Sequence, residues 1–381
     1  MVALCRDGVI YCLVWFLWEW VANICFWLYA ILIMNRKQIA KLIAFPMILV
    51  SCIVAMDRLF FANVGDDLNS YSQFYKEEKD ACDIVLVGNS TLREGYIPTQ
   101  MWHNNHITSR AFTSSPTHPE VIKNAIKEIV KVQHPKVMFV DINGLTFQKE
   151  EDAEFFMKQY YKAVSDPEHK EELEEQYDYL KSESGKFELF KNHNNFRQQQ
   201  YWESLVYYDQ FKTKGYYPHQ VITKVKPVEY SLEETMPLPS DGQTYFTEIM
   251  DACEPFKNDI TFVFGKTPRF MTNKEQINDT YMLRSVADEI ASRGFIYKDF
   301  SDDAEKMGLD PNSDFKDYDH LNHLGSIKFT DYFASYIKEE LHFEPSEYKE
   351  ETIENFDTAY TKTEKYLSDI EKKLLKLAHK G

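Results

Sequence analysis

This chain has no run of basic residues to set against its acidic ones: 60 Asp and Glu face 43 Lys and Arg, a formal charge of -17 over 381 residues. That balance excludes the basic stripe on which nucleic-acid binding depends, and describes a plainly soluble acidic surface. Its six cysteines form neither a disulfide framework nor a zinc-ligand spacing. Cys5, Cys12, Cys25 and Cys52 fall in or beside apolar N-terminal segments, while Cys82 and Cys253 lie in the polar body and either pair, if the domain sits outside the cell, or stay two buried free thiols, the preferred reading. There is no internal repeat and no phosphate-binding P-loop, since Gly265-Lys266-Thr267-Pro268-Arg269 lacks the glycine spacing and the Gly-Lys-Ser/Thr context. No metal or other cofactor is expected. What is abundant is aromatic side chain, 15% of the sequence, enough for a well-packed core.

The N-terminus carries two apolar runs. Val9 to Met34 is broken by Glu19 and Asn23, and Ile39 to Met56 by Lys41. Each approaches the roughly 20 residues that span a bilayer. The positive-inside rule places the intervening Asn35-Arg36-Lys37-Gln38 in the cytoplasm, so everything after about residue 58 is expected outside it. Glu19 in mid-span costs about 2.5 to 3.5 kcal/mol unless it meets a partner, so residues 1–33 are either a genuine first span or a segment before the true start. Residues 1–58 are thus expected to form an anchor of one or two helices.

From Ala81 onward short apolar runs alternate with amphipathic stretches, the pattern of a layered α/β domain. Strands are expected at Ile84–Val87, Val137–Ile142, Ile260–Phe264 and Phe295–Phe300, and helices at Pro119–Val132, Thr244–Phe256, Glu275–Arg293 and Ser326–Leu341. The prediction is a three-layer α/β/α fold on a central parallel sheet, divided into residues 59–147 and 241–343. Between them, 148–240 is rich in Glu, Lys, Gln, Asn and Tyr and reads as a helical insertion over the active-site face, with a flexible tether as the other reading. Residues 344–381 are charged, and Thr352 to Ala378 has the spacing of an amphipathic helix that packs back or binds a partner.

Strand Ile84–Val87 runs into Gly88-Asn89-Ser90-Thr91. A serine at the C-terminal end of a parallel strand sits where open α/β sheets place their active sites, although such a serine is also an ordinary helix cap. At the far end, Asp317-Tyr318-Asp319-His320-Leu321-Asn322-His323-Leu324-Gly325 precedes a helix. Asp317 and His320 are spaced so that the carboxylate accepts from one imidazole nitrogen while the other takes the proton of Ser90. Asp319 with His323 is a second feasible pair, and Asp317 and Asp319 are equally able to cap the helix. Arg93 and Glu94 follow the serine closely enough to line a pocket, with Arg93 facing an anionic or sugar group. Lys266 and Arg269 end another strand on the same edge and are candidates for contact with a phosphate-bearing polymer.

Taken together, Gly-x-Ser after the first strand, Asn after a later strand and Asp-x-x-His-Leu-Asn-x-x-Gly before the last helix resemble the SGNH (GDSL-like) hydrolases over about residues 82 to 341, the insertion excluded. More narrowly they are similar to the membrane-anchored, DltD-like members that serve teichoic-acid D-alanylation beside membrane-bound O-acyltransferases. The resemblance implies Ser90 as nucleophile, His320 as base, Asp317 as the residue orienting it, and an oxyanion held by Asn143 and an amide near Phe112-Thr113-Ser114-Ser115, for which Ser114 stands. The first block reads Gly-Asn-Ser instead of Gly-Asp-Ser, and the second block has no glycine. The implied activity is a serine esterase or acyltransferase that moves or removes an acetyl or D-alanyl-like ester on an extracellular polysaccharide or teichoic acid, with a membrane-bound O-acyltransferase as partner. A carbohydrate esterase acting alone, or a non-catalytic glycan-binding scaffold, is the alternative.

Overall fold

A computed structural model describes residues 35–61, 65–183 and 213–379. The first apolar run, Glu19 and residues 1–33 lie outside them. The chain divides into two compact units.

In the N-terminal unit, helix α1 covers Arg36–Phe61. It opens with a reciprocal cap, the Gln38 amide donating to Asn35 Oδ1 and the Asn35 amide to Gln38 Oε1, each at 3.0 Å, so the polar tetrad between the apolar runs starts the helix. Its Arg36–Met56 stretch has a mean hydropathy of 2.3 over 21 residues, long and apolar enough to cross a membrane.

The second unit begins with α2 (Gly65–Phe74) and then β1 (Ile84–Gly88), α3 (Ser90–Gly95), α4 (Pro98–Asn105), β2 (Ser109–Thr113), α5 (Pro119–Gln133) and β3 (Val137–Asp141). Next come α6 (Ala153–Ala163), α7 (Pro167–Gln176) and α8 (Asp178–Lys181). The series closes with α9 (Ser240–Cys253), β4 (Thr261–Lys266), α10 (Lys274–Arg284), α11 (Ala287–Ser292), β5 (Ile296–Asp299), α12 (His323–Glu339) and α13 (Glu350–Ala378). The five strands form one all-parallel sheet in the order β2-β1-β3-β4-β5. Every residue of β1, β2 and β3 is buried, as a parallel sheet covered on both faces requires. On one face Ile84, Leu86, Val137, Phe139 and Val263 pack with Phe329, Phe333 and Ile337 of α12. The fold is α/β. Its winding reverses between β1 and β3, and a crevice outside the C-terminal ends of the strands at such a point is where doubly wound sheets bind ligands.

Strand β2 was not among the expected strands. Its sequence, Ser-Arg-Ala-Phe-Thr, looks too polar for a buried strand, but its polar groups are satisfied inside. Arg110 pairs with Glu77, and Ser109 Oγ accepts from Tyr96 at 2.8 Å. The single helix expected over 275–293 is broken at Ser285-Val286, where Val286 (φ -97°, ψ 1°) leaves helical geometry. Of the described residues of the insertion, 150–181 are largely helical. Residues 213–239 form neither helix nor free tether but an extended strap, whose Tyr217, Thr223, Val225, Val228 and Met236 amides donate to the carbonyls of Arg93, Phe315, Pro311, Met271 and Tyr281. Helix α13 packs back on this unit through Phe356, Leu367, Ile370 and Leu374, and its Asp357 accepts from Trp102 Nε1 at 2.8 Å. Cys82 and Cys253 are free and buried.

Candidate active site

The turn after β1 is held from below by the end of β3. Asp141, fully buried, accepts the Asn89 amide on Oδ2 at 3.2 Å and the Asn143 amide on Oδ1 at 2.8 Å. A side chain at position 88 has no room, since a Cβ there would stand 2.3 Å from Asp141 Cβ. Thr117 completes the turn: its hydroxyl donates to Gly88 O at 2.6 Å and its amide to Asn89 Oδ1 at 3.0 Å. Burial pushes the Asp141 carboxyl up to about 6, against the lowering effect of the amides of Asn143 and Asn89.

Ser90, half-buried, begins α3 on top of this platform. Its Oγ lies 2.8 Å from His320 Nε2. The opposite ring nitrogen, Nδ1, lies 2.9 and 3.0 Å from the two oxygens of Asp317. With Nδ1–H donating to Asp317, Nε2 is left to accept the serine proton. Asp317 Oδ1 also accepts the amides of Asp319 and His320, both at 2.8 Å. Burial works to raise this carboxyl, but the His320 hydrogen bond and charge and the two amides hold it well below the ordinary carboxylate range.

The hairpin that presents Asp317 and His320 is closed by Lys316 N–H donating to His320 O at 2.9 Å and a bridge between Phe315 and Leu321. Asn322 pins its exit. Asn322 Oδ1 caps α12 by accepting from Leu324 N at 2.9 Å, while Nδ2 donates to Ser313 O at 2.7 Å. A Cβ at Gly325 would meet Asp314 O at 2.4 Å. The Asn and Gly of the closing motif therefore build the hairpin, and the carboxylates are not the cap.

No protein-family model, curated protein or solved structure matches this chain.

The other expected residues fall into different roles. Asp319 receives Arg269 Nη1 and Gln276 Nε2, both at 2.8 Å, so it does not serve His323. His323 is buried against Tyr216, whose hydroxyl lies 2.8 Å from Nδ1, and burial brings it down to about 4. Lys266 does not reach outward to a polymer: it is buried, donating to Thr280 Oγ1 at 2.6 Å with Asp299 at 3.4 Å. Arg269 is likewise spent on Asp319. Arg93 does not line an open pocket but is buried under the strap, its guanidinium 5.2 Å from the Tyr217 ring. The Ser114 amide, expected as an oxyanion donor, is committed to Thr117 Oγ1 at 2.8 Å. Asn143 stands at the end of β3, joined to the nucleophile turn through Asp141, and its side-chain Oδ1 is buried without a partner.

Three groups near the triad carried no signal in the sequence: His219, Lys316 and Thr117. His219 comes from the strap, which has no periodicity to read, and its Nε2 is 3.0 Å from Glu94 Oε2. Among the described residues no cluster of His, Cys, Asp and Glu is arranged to hold a metal ion.

Proposed function

We propose that the chain is a membrane-anchored serine esterase or acyltransferase of SGNH type, with Ser90 as nucleophile, His320 as base and Asp317 as the residue that orients it. The observation that carries this reading is the continuous line Asp317–His320–Ser90, at 2.9 and 2.8 Å, at the C-terminal edge of a parallel sheet beside its switch point. In the first half-reaction the Ser90 proton passes to His320 Nε2 as Oγ attacks an ester carbonyl. The tetrahedral adduct collapses when the imidazolium returns that proton to the departing alcohol, leaving an acyl ester on Ser90. An acceptor hydroxyl or water then gives its proton to His320 as it attacks the acyl carbon, and the second adduct collapses with cleavage of the Oγ–acyl bond, the imidazolium returning the proton to Ser90 Oγ as the new ester or free acid leaves. Asn143 and the Ser90 amide are the donors proposed for the oxyanion, with Ser114 set aside because its amide is already engaged.

Helix α1 supports an anchor, and the basic Arg36 and Lys37 at its start support an extracytoplasmic site. The family resemblance supports an acetyl or D-alanyl-like ester on a cell-surface polysaccharide or teichoic acid, and a membrane-bound O-acyltransferase as partner. The test is covalent labelling of the full chain in detergent by a fluorophosphonate probe. Wild type is expected to label and Ser90→Ala not to. Equal, weak labelling of both would sink the enzyme reading in favour of a glycan-binding scaffold. Ester release into water by the wild type identifies an esterase, and turnover only on adding a glycan acceptor identifies a transferase.

A further inference from the structure

Glu94 lies in α3, one turn beyond Ser90, and is 3% exposed. A carboxylate buried so deeply needs charged or hydrogen-bonding partners. Arg93 Nη2 of its own helix stands 3.9 Å from Oε1, and its closer partners come from two other segments. Lys316 Nζ, at the start of the His320 hairpin, and His219 Nε2, from the strap, each stand 3.0 Å from Glu94 Oε2 and 3.3 Å from each other. The backbone repeats the tie: Tyr217 N–H donates to Arg93 O at 2.9 Å, and Ser326 Oγ of α12 donates to Glu94 O at 2.6 Å. Nucleophile helix, hairpin and strap therefore converge on one carboxylate, independently of the Ser90–His320 contact.

We propose that Glu94, acting through Lys316 and His219, is the positioning residue that keeps His320 in register with Ser90 and sets the charge balance at its imidazole; this rests on the serine-ester reading above. The charged and titratable groups in this cluster include Asp317, Lys316 and Asp319 on the His320 hairpin, Glu94 and its neighbour Arg93 on α3, His219 on the strap, and Arg269 after β4, which is paired with Asp319. Burial works to raise the Glu94 carboxyl, but the His219 hydrogen bond and the charges of His320, His219 and Lys316 hold it below its ordinary value. Loss of the Glu94 charge leaves the Lys316 ammonium, 3.8 Å from Asp317 Oδ2, without its main counter-charge. That disfavours further positive charge in the cluster, which the acid limb of a rate profile reads.

The experiment is the pH profile of p-nitrophenyl acetate hydrolysis by the full chain in detergent, for wild type, Glu94→Gln and Glu94→Asp. Glu94→Gln is expected to lower kcat on the order of 10- to 100-fold with KM within about twofold, as for a base displaced by a fraction of an ångström. The acid limb moves to lower pH, and Glu94→Asp recovers part of both effects. A folded Glu94→Gln protein with wild-type kcat and an unmoved acid limb overturns the proposal. So does a loss of rate with an unmoved acid limb that Glu94→Asp does not relieve, because that is a purely structural defect. Should Glu94→Gln fail to fold, His219→Ala, whose wild-type side chain is one-fifth exposed and which leaves the Glu94 charge in place, decides on the positioning alone: a lower kcat with KM held is expected, and wild-type kcat overturns the proposal. A wild type inert towards the ester sinks both readings, whereas an active wild type indifferent to Glu94 leaves the serine-ester reading standing.

Discussion

Oδ2 of Asp141 accepts the backbone amide of Asn89 at 3.2 Å, so the last residue of β3 holds the turn that carries Ser90. The carboxylate lies where neighbouring strands of the sheet end, and Gly88 leaves space for its Cβ. The nucleophile turn is therefore stiffened by a buried group that never touches the reacting atoms.

Asp141 should make the fold sensitive to pH in a predictable sense. Its folded value, pushed up to about 6 against 3.8, means that the folded state favours the protonated acid. The contribution is fully present below about pH 4 and is lost as pH rises through 6, by about 2 to 3 kcal/mol. In guanidinium unfolding between pH 4 and 7, the stability difference between wild type and Asp141→Asn should show this slope, the His323 contribution being common to both. Gly88→Ala, which drives a methyl into Asp141, should cost about 1 to 3 kcal/mol in the same assay and weaken probe labelling.

Asp317→Asn should preserve the hairpin, because the amide oxygen can still accept from the Asp319 and His320 amides. The same side chain presents an NH2 group to His320 and favours the tautomer that cannot accept from Ser90. Ester hydrolysis should fall on the order of 10²- to 10⁴-fold with little change in melting temperature, and Ser90→Ala should abolish it.

His323 should reveal itself as a structural residue. Burial brings it down to about 4, below its ordinary 6.5, so the unfolded chain binds its proton first. Stability attributable to it is present above pH 6.5 and lost as pH falls through 4, a slope opposite in sign to that of Asp141. His323→Gln should remove that acid-side loss while retaining fluorophosphonate labelling, and His320→Gln should do the reverse.

Helix α13 contributes fully buried Phe356, packed 5.6 Å from the Trp102 ring. Phe356→Ala should cost about 3 to 5 kcal/mol in denaturant unfolding. The protein that remains folded should label at Ser90 as wild type does, since α13 supplies no group to the triad.

The runs at 84–87, 137–142 and 260–264 marked three strands because a strand buried on both faces must be continuously apolar, and 295–300 marked the half-buried edge strand β5 by its aromatic and β-branched residues despite Lys298 and Asp299. Pro119 marked the start of α5 for an equally local reason, since its ring suits the first helical turn; the structure adds the cap, His118 Nδ1 accepting the Glu120 amide at 3.1 Å. The motifs ending in Ser90 and enclosing Asp317 and His320 were also visible as residue types at fixed spacing. What they could not determine is which aspartate faces which histidine. Both pairs fit along the chain, and the choice was made by Arg269 claiming Asp319 and Tyr216 claiming His323 from distant segments. Strand β2 stayed hidden for the same reason, since Arg110 is tolerable in a buried strand only when Glu77 is brought to it. The strap is the extreme case: its backbone is satisfied by carbonyls from other parts of the chain, so no periodicity of its own announces it, and His219 reaches Glu94 only once the domain has closed.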